Sequence, residues 1–155
     1  MTERSRVNPP PLLEHPRDRL VELTREECLL RLGRGGVGRV AVSVGALPAI
    51  LPVNYAMVDG DVVFCTGAGT KLEAALKSAV VAFEIDDAEA MSHSGWSVLV
   101  VGVARVVEDP STLVRSGRFP AVSPWAGGDR NRFVRIETAV ITGRQLVDQS
   151  GCERD

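Results

Sequence analysis

The sequence predicts a mainly β protein with short helices, folded as a closed or nearly closed barrel of about six antiparallel strands. Three observations carry the prediction. β-Branched and aromatic runs recur with a period of two, short glycine turns separate them, and helix-starting signals are confined to a few short segments. Closure is the economical architecture for such a set because it leaves no strand edge unpaired. At 155 residues, with 45% hydrophobic and 25% charged residues, the chain is long enough for one buried core and has an ordinary soluble composition.

Residues 1–19 carry Asn8-Pro9-Pro10-Pro11 among charges and read as a flexible or loosely docked arm before a folded domain over 20–146. Thr24-x-x-Glu27 is a capping box for a first helix, with Cys28, Leu29, Leu30 and Leu32 as its apolar stripe and Gly33, Gly35 and Gly36 as its stop. Residues 37–44 alternate Val40, Val42 and Val44 against Arg39, Ala41 and Ser43, the period of a half-buried strand. Gly45 marks a turn into a second strand over 49–58, interrupted by Pro52, and Asp59-Gly60 is a hairpin turn into a third over 61–66.

After a glycine junction, 71–77 reads as a short helix with Leu72, Ala75 and Leu76 inward, then 79–85 as a fourth strand closed by Asp86-Asp87. The fifth, 96–108, holds Val98, Leu99, Val100, Val101 and Val103, an almost unbroken apolar run that calls for burial on both faces and fits a barrel wall covered by a partner. A brief helix at 111–118, a loop at 120–130 with Pro124-Trp125, and a last strand at 133–142 follow. The chain turns polar from Gly143, and 147–155 form a C-terminal tail.

The junction Gly67-Ala68-Gly69-Thr70-Lys71 stands between a strand and a helix, and Lys71 and Lys77 are the only lysines among 18 basic residues. Glycines there let backbone N–H groups turn toward a ligand, and Thr70-x-x-Glu73 is a second capping box. A cation at the first helical position opposes the helix dipole by roughly 0.3–1 kcal/mol unless an anion lies between them, so the junction is a candidate phosphate site. Taken alone, it is explained slightly better by a solvated lysine on an ordinary turn. The order Gly69-Thr70-Lys71 is not that of a P-loop. Gly33-Arg34-Gly35-Gly36-Val37-Gly38 spells G-x-G-x-x-G but follows a helix and leads into a strand, the reverse of the dinucleotide fingerprint.

A net charge of −2 argues against a nucleic-acid or membrane surface, and seven aromatic residues argue against a base-stacking platform. Cys28, Cys65 and Cys152 show no C-x-x-C spacing, and His15 and His93 are the only histidines, so no disulfide framework, metal site or Cys–His dyad is expected. With no apolar membrane-length stretch and no signal-peptide core, a cytoplasmic protein is expected. Asp86-Asp87 reads as a solvated strand end, and no residue is nominated as catalytic.

Pro52-Val53-Asn54-Tyr55, Phe64-Cys65-Thr66, Gly69-Thr70-Lys71 and Gly95-Trp96-Ser97-Val98, in this order and spacing, resemble the FMN-binding split barrels of the pyridoxamine 5'-phosphate oxidase-like superfamily, over about 23–146. The resemblance implies a six-stranded split β-barrel, a homodimer with FMN in clefts between subunits, and flavin-dependent oxidoreductase activity on a small substrate. By the same resemblance Val53, Asn54 and Tyr55 line the flavin ring, Cys65 and Thr66 the ribityl chain, and Thr70 and Lys71 the phosphate, while Trp96 comes from the other subunit. A deazaflavin could use the same lysine, and a non-catalytic flavin carrier or sensor is the alternative function. Each residue also has a plainer role. Pro52 fits a β-bulge, Asn54 a buried amide bonded to a backbone carbonyl, and Trp96 a sealed dimer interface. Arg39, Ser97 and Trp125 fit salt bridges or core packing better than a site. The Arg-x-His that binds substrate in the vitamin-B6 oxidases is absent, the stretch here being Gly143-Arg144-Gln145-Leu146, and the histidines of haem-degrading relatives are missing too.

Overall fold

The computed structural model describes residues 18–67, 70–89, 94–111, 113 and 131–148. Outside them lie the arm up to residue 17, Ala68 and Gly69, most of the 111–118 segment, the 120–130 loop with Trp125, His15, His93, Cys152 and the tail from residue 149. The elements run β1 Asp18–Glu22, α1 Arg25–Leu32, β2 Gly36–Val44, β3 Leu47–Val58, β4 Asp61–Gly67, α2 Lys71–Leu76, β5 Val80–Glu89, β6 Ser94–Val106, β7 Asn131–Ile136 and β8 Val140–Asp148. Antiparallel pairing in the order β6-β5-β2-β3-β4-β7, with β7 returning to β6, closes the expected six-stranded barrel. β8 and then β1 extend the sheet from β6. Among the described residues no helix is long and apolar enough to cross a membrane.

Local chemistry places most boundaries. At the start of α1 the capping box is complete: Glu27 N–H donates to Thr24 Oγ1 at 3.2 Å and Thr24 N–H to Glu27 Oε2 at 2.7 Å. These bonds hold the Glu27 carboxyl below its usual range. The helix stops where Gly33 N–H donates to Leu29 O and Gly35, at φ 66°, turns the chain into β2. Cys28 and Leu32 are buried, but Leu30 is 74% exposed, so the stripe is narrower than the composition suggests. The Asp59-Gly60 hairpin has both residues at positive φ, 52° and 83°, as a two-residue turn matching strand twist requires.

Alternate residues fill the barrel: Val40 and Val42 from β2, Tyr55 from β3, Val62 and Phe64 from β4, Phe83 from β5, Val98 and Val100 from β6, Val134 and Ile136 from β7. Leu76 of α2 and Leu32 of α1 join this core. Tyr55 makes an edge-to-face contact with Phe83 at 4.9 Å, and its hydroxyl donates to Leu32 O at 2.9 Å. The phenol thereby ties the end of α1 to β3.

β6 carries the closure. Along one edge it pairs with β5 from Ser94 to Val103. Along the other it pairs with β8 over Gly95–Val101 and with β7 over Ala104–Val106. The single last strand expected at 133–142 is therefore two strands laid end to end, broken at 137–139. No glycine or proline marks the break; it is imposed by bonds from outside the segment. Glu137 N–H donates to Val103 O, Thr138 N–H to Asp61 Oδ1 at 3.2 Å, and Thr138 Oγ1 to Gly60 O at 2.7 Å. The polar stretch from Gly143 is not a tail up to residue 148 but strand β8, and Asp18–Glu22 pairs with it as β1. β5 likewise runs through Asp86-Asp87 to Glu89. The expectation that β6 is buried on both faces is met on one face only: Val98 and Val100 are buried, whereas Leu99 is 40% exposed in the single chain.

Gly102 sits at the point where β6 changes partner, and a Cβ there would overlap the Glu137 carbonyl, which is backbone and has little room to give. Gly102→Ala is expected to lower unfolding free energy by about 3 kcal/mol, the upper part of the overpacking range, measurable by urea denaturation. Burial pushes Tyr55, ordinarily near 10.0, up to about 12. The folded state favours the neutral phenol, so its contribution is full below pH 10 and is lost as pH rises toward 12. Tyr55 is the one tyrosine of the chain. An ultraviolet titration should therefore show a single ionisation shifted upward in native protein and near the ordinary value in denaturant.

Candidate cofactor site

The barrel wall opens between β3 and β4. These strands pair from Val58–Asp61 only as far as Tyr55–Phe64. Beyond that point β3 follows β2 back to Leu47, while β4 follows β7 to Gly67. Pro52 lies just past the parting on β3, where a residue without an N–H costs no ladder bond toward β4. Among the described residues the two strands thus present edges paired with no other strand, and such edges need partners.

Val53 and Asn54 stand on one side of the opening, Cys65 and Thr66 on the other. Val53 packs half-buried against the core. Asn54 alternates to the outer face and is half-exposed, so it is not the buried amide expected, and the amide is placed for a ligand or solvent. The Tyr55 ring is turned inward and committed to Leu32 and Phe83. Cys65 is half-buried beside Phe133, and burial raises its thiol above the usual range, which opposes a reactive thiolate. Thr66 follows Phe64 on the inner side.

Thr70 caps α2: its hydroxyl accepts from Glu73 N–H at 3.0 Å and donates to Gly67 O at 3.0 Å. That second bond pulls the helix start against the end of β4. Lys71 is the first residue of α2, and it is exposed; among the described residues no ion pair is formed by it. Cys65 and Thr66, at the end of β4, and Thr70 and Lys71, at the start of α2, therefore lie toward one end of the opening.

Trp96 is elsewhere. It lies on β6, separated from β3 along the sheet by β5 and β2, with the Arg31 guanidinium 5.2 Å from its ring centroid. Arg31 also donates to Gln145 Oε1 at 2.8 Å, so indole, guanidinium and amide form one packed group within the chain. Arg39 bridges Glu84 at 3.1 Å and Asp86 at 2.6 Å on the outer face, the salt-bridge role expected of it. An apolar groove of about 640 Å³ lined by Glu26, Leu29, Leu30, Gly33 and Arg34 belongs to α1 and contains none of the candidate residues.

Sequence reasoning missed Arg132. Its Cα partner across the β4–β7 ladder is Thr66, and its Nε lies 3.5 Å from Glu73 Oε1. Nothing around it in Arg130-Asn131-Arg132 distinguishes it from other surface arginines; only the pairing of β7 with β4 brings it here. The donor set at this end of the opening is thus the Thr66 hydroxyl, an ammonium and a guanidinium, the Thr70 proton being already given to Gly67 O. It suits a phosphorylated ligand, and the parted edges suit the polar rim of a flat heterocycle. Among the described residues no group of three or more His, Cys, Asp or Glu is placed to hold a metal ion.

Comparison with known proteins agrees with this fold. The family model described as pyridoxamine 5'-phosphate oxidase matches residues 24–145. An uncharacterized protein of Mycobacterium tuberculosis is 38% identical over 136 residues, covering 84% of this chain and 88% of that protein. The solved structure of an FAD binding protein from Mycobacterium smegmatis is 32% identical, with a TM-score of 0.63 over 82% of this chain and 98% of that one. An FAD-binding protein from Mesorhizobium loti, at 23% identity, shares the fold with a TM-score of 0.71 over 84% of this chain and 99% of that one. With its closed barrel, parted strands and family match in agreement, the chain belongs to the pyridoxamine 5'-phosphate oxidase family of flavin-binding split barrels.

Proposed function

We propose that this protein binds FMN between two copies of the chain and acts as a cytoplasmic flavin-dependent oxidoreductase on a small substrate. The observation that carries the reading is the parting of β3 from β4 beside Thr70 and Lys71, which sets strand edges that are unpaired among the described residues next to a cationic end. Val53 and Asn54 would flank the ring, Cys65 and Thr66 the ribityl chain, and Thr70 and Lys71 the phosphate, with Trp96 supplied by the second copy. A bound flavin supplies hydride and single-electron transfer. The chain contributes binding, orientation and exclusion of water, which is why no acid–base pair is required. FAD is the second form of the cofactor to consider, because the relative from Mycobacterium smegmatis is an FAD binding protein, and deazaflavin the third. A carrier or sensor function is the second reading, favoured by the absence of the Arg-x-His substrate motif at Gly143-Arg144-Gln145, which here forms part of β8.

The outer face of the sheet supports the second copy. By register, Val140, Val101, Ala82, Ala41 and Ile50 stand in one row across β8, β6, β5, β2 and β3. Val140 is 53% and Ile50 71% exposed, and the two alanines between them leave the row shallow enough for another sheet to approach. The Arg39–Glu84–Asp86 ion group borders it.

Heat-denatured protein should release a yellow chromophore whose chromatographic identity decides among FMN, FAD and deazaflavin; a colourless protein that leaves flavin fluorescence unquenched would end the proposal. Reduction of the bound flavin by NADPH would favour the enzyme over the carrier. Lys71→Ala should weaken FMN binding by about 1–3 kcal/mol with the fold intact; equal dissociation constants would remove Lys71 from the site. Sedimentation should give a dimer that Ile50→Glu dissociates, whereas a monomeric native protein would contradict the shared site.

A further inference from the structure

The most informative feature outside the expected residues is the ion pair between β7 and α2. Val134 and Ile136 face the barrel core. Arg132, on the same side of β7, therefore projects toward the barrel end where α2 sits, beside its register partner Thr66. Its contact with Glu73, at 3.5 Å through Nε, is longer than the 2.7–2.9 Å of a close-fitting charge-assisted bond. The arginine side chain is 55% exposed and the glutamate 20%. The carboxylate is thus the fixed partner, and the guanidinium is the one that can move.

We propose that Arg132 is a second cation for the phosphate of the bound ligand and that Glu73 holds it in position until phosphate displaces the carboxylate. This rests on the flavin reading above and assigns to the same site a residue that discriminates phosphorylated from unphosphorylated flavin. Three facts on one small surface support it. Thr66 and Arg132 are cross-strand partners, Gly67 O accepts the Thr70 hydroxyl, and Glu73 belongs to the same helix as Lys71. The sum of Lys71, Arg132 and Glu73 is one positive charge, which a phosphate of charge near −2 more than neutralises. A planar guanidinium meets phosphate oxygens in pairs, which an ammonium cannot do, so Arg132 would supply orientation where Lys71 supplies charge. Glu73 takes the opposite sign: it lowers affinity for the anion while keeping the arginine in place in its absence.

Dissociation constants for riboflavin and for FMN, taken by flavin fluorescence quenching at fixed ionic strength, separate these roles because the two ligands differ only in the phosphate. Arg132→Gln should weaken FMN about tenfold and leave riboflavin within about twofold. Arg132→Lys should recover part of that loss. Glu73→Gln, which leaves the backbone N–H bonded to Thr70, should tighten FMN severalfold and leave riboflavin unchanged. Equal effects of Arg132→Gln on both ligands, or none on either, would overturn the assignment. If only Lys71→Ala erases the preference of native protein for FMN over riboflavin, the role of Arg132 falls and the flavin reading stands. If native protein binds neither ligand, both fall together. Should Arg132→Gln fail to fold by circular dichroism, the Glu73→Gln result decides alone, and an unchanged FMN constant there rejects the proposal.

Discussion

The constraint on which this fold depends is the shared edge of β6. One strand must pair with β8 along its first half and with β7 along its last residues, while β7 and β8 are joined by three residues, 137–139, that cross over it. Only a residue without a side chain lets the Glu137 carbonyl come down at the crossing, and Gly102 is that residue. Without the crossing β7 could not reach both β4 and β6, and the sheet would remain open with two long edges exposed.

Closure through β7 also explains the opening between β3 and β4. β7 holds β4 from Val62 to Gly67, and β2 holds β3 from Tyr55 back to Leu47, so the two neighbours are drawn to opposite sides once they pass Tyr55–Phe64. Pro52 removes one donor from the stretch of β3 that has parted. The same strand that seals the barrel therefore delivers Arg132 to the mouth of the cleft. The Asp59-Gly60 turn is tied to the β7–β8 connection through Thr138 and Asp61, which fixes the closed end of the cleft.

Side-chain roles divide by face. The buried residues of the inner face are apolar apart from Tyr55, whose hydroxyl is satisfied by Leu32 O. The outer face carries the apolar row from Val140 to Ile50, which the single chain leaves in contact with water. That face is why β6 reads as doubly apolar in sequence although only half of it is covered here.

Local signals in the sequence fix the helix starts at Thr24 and Thr70, the glycine stop of α1, the Asp59-Gly60 hairpin and the alternation of β2. Each depends on bonds or dihedral preferences within a few residues, so each is visible without tertiary information. The roles of the seven candidate residues from Val53 to Lys71 rest on the family resemblance; local order accounts only for the consecutive strand, turn and helix that carry them. The tertiary structure alone decided the rest. It broke the last strand at 137–139, drew Asp18–Glu22 and the polar residues after Gly143 into the sheet, turned the Tyr55 ring inward and Leu30 outward, and put Arg132 beside Thr66. Those outcomes come from pairing between segments distant in sequence, where hydrogen bonds and steric fit against another strand override the weak preferences of the segment itself.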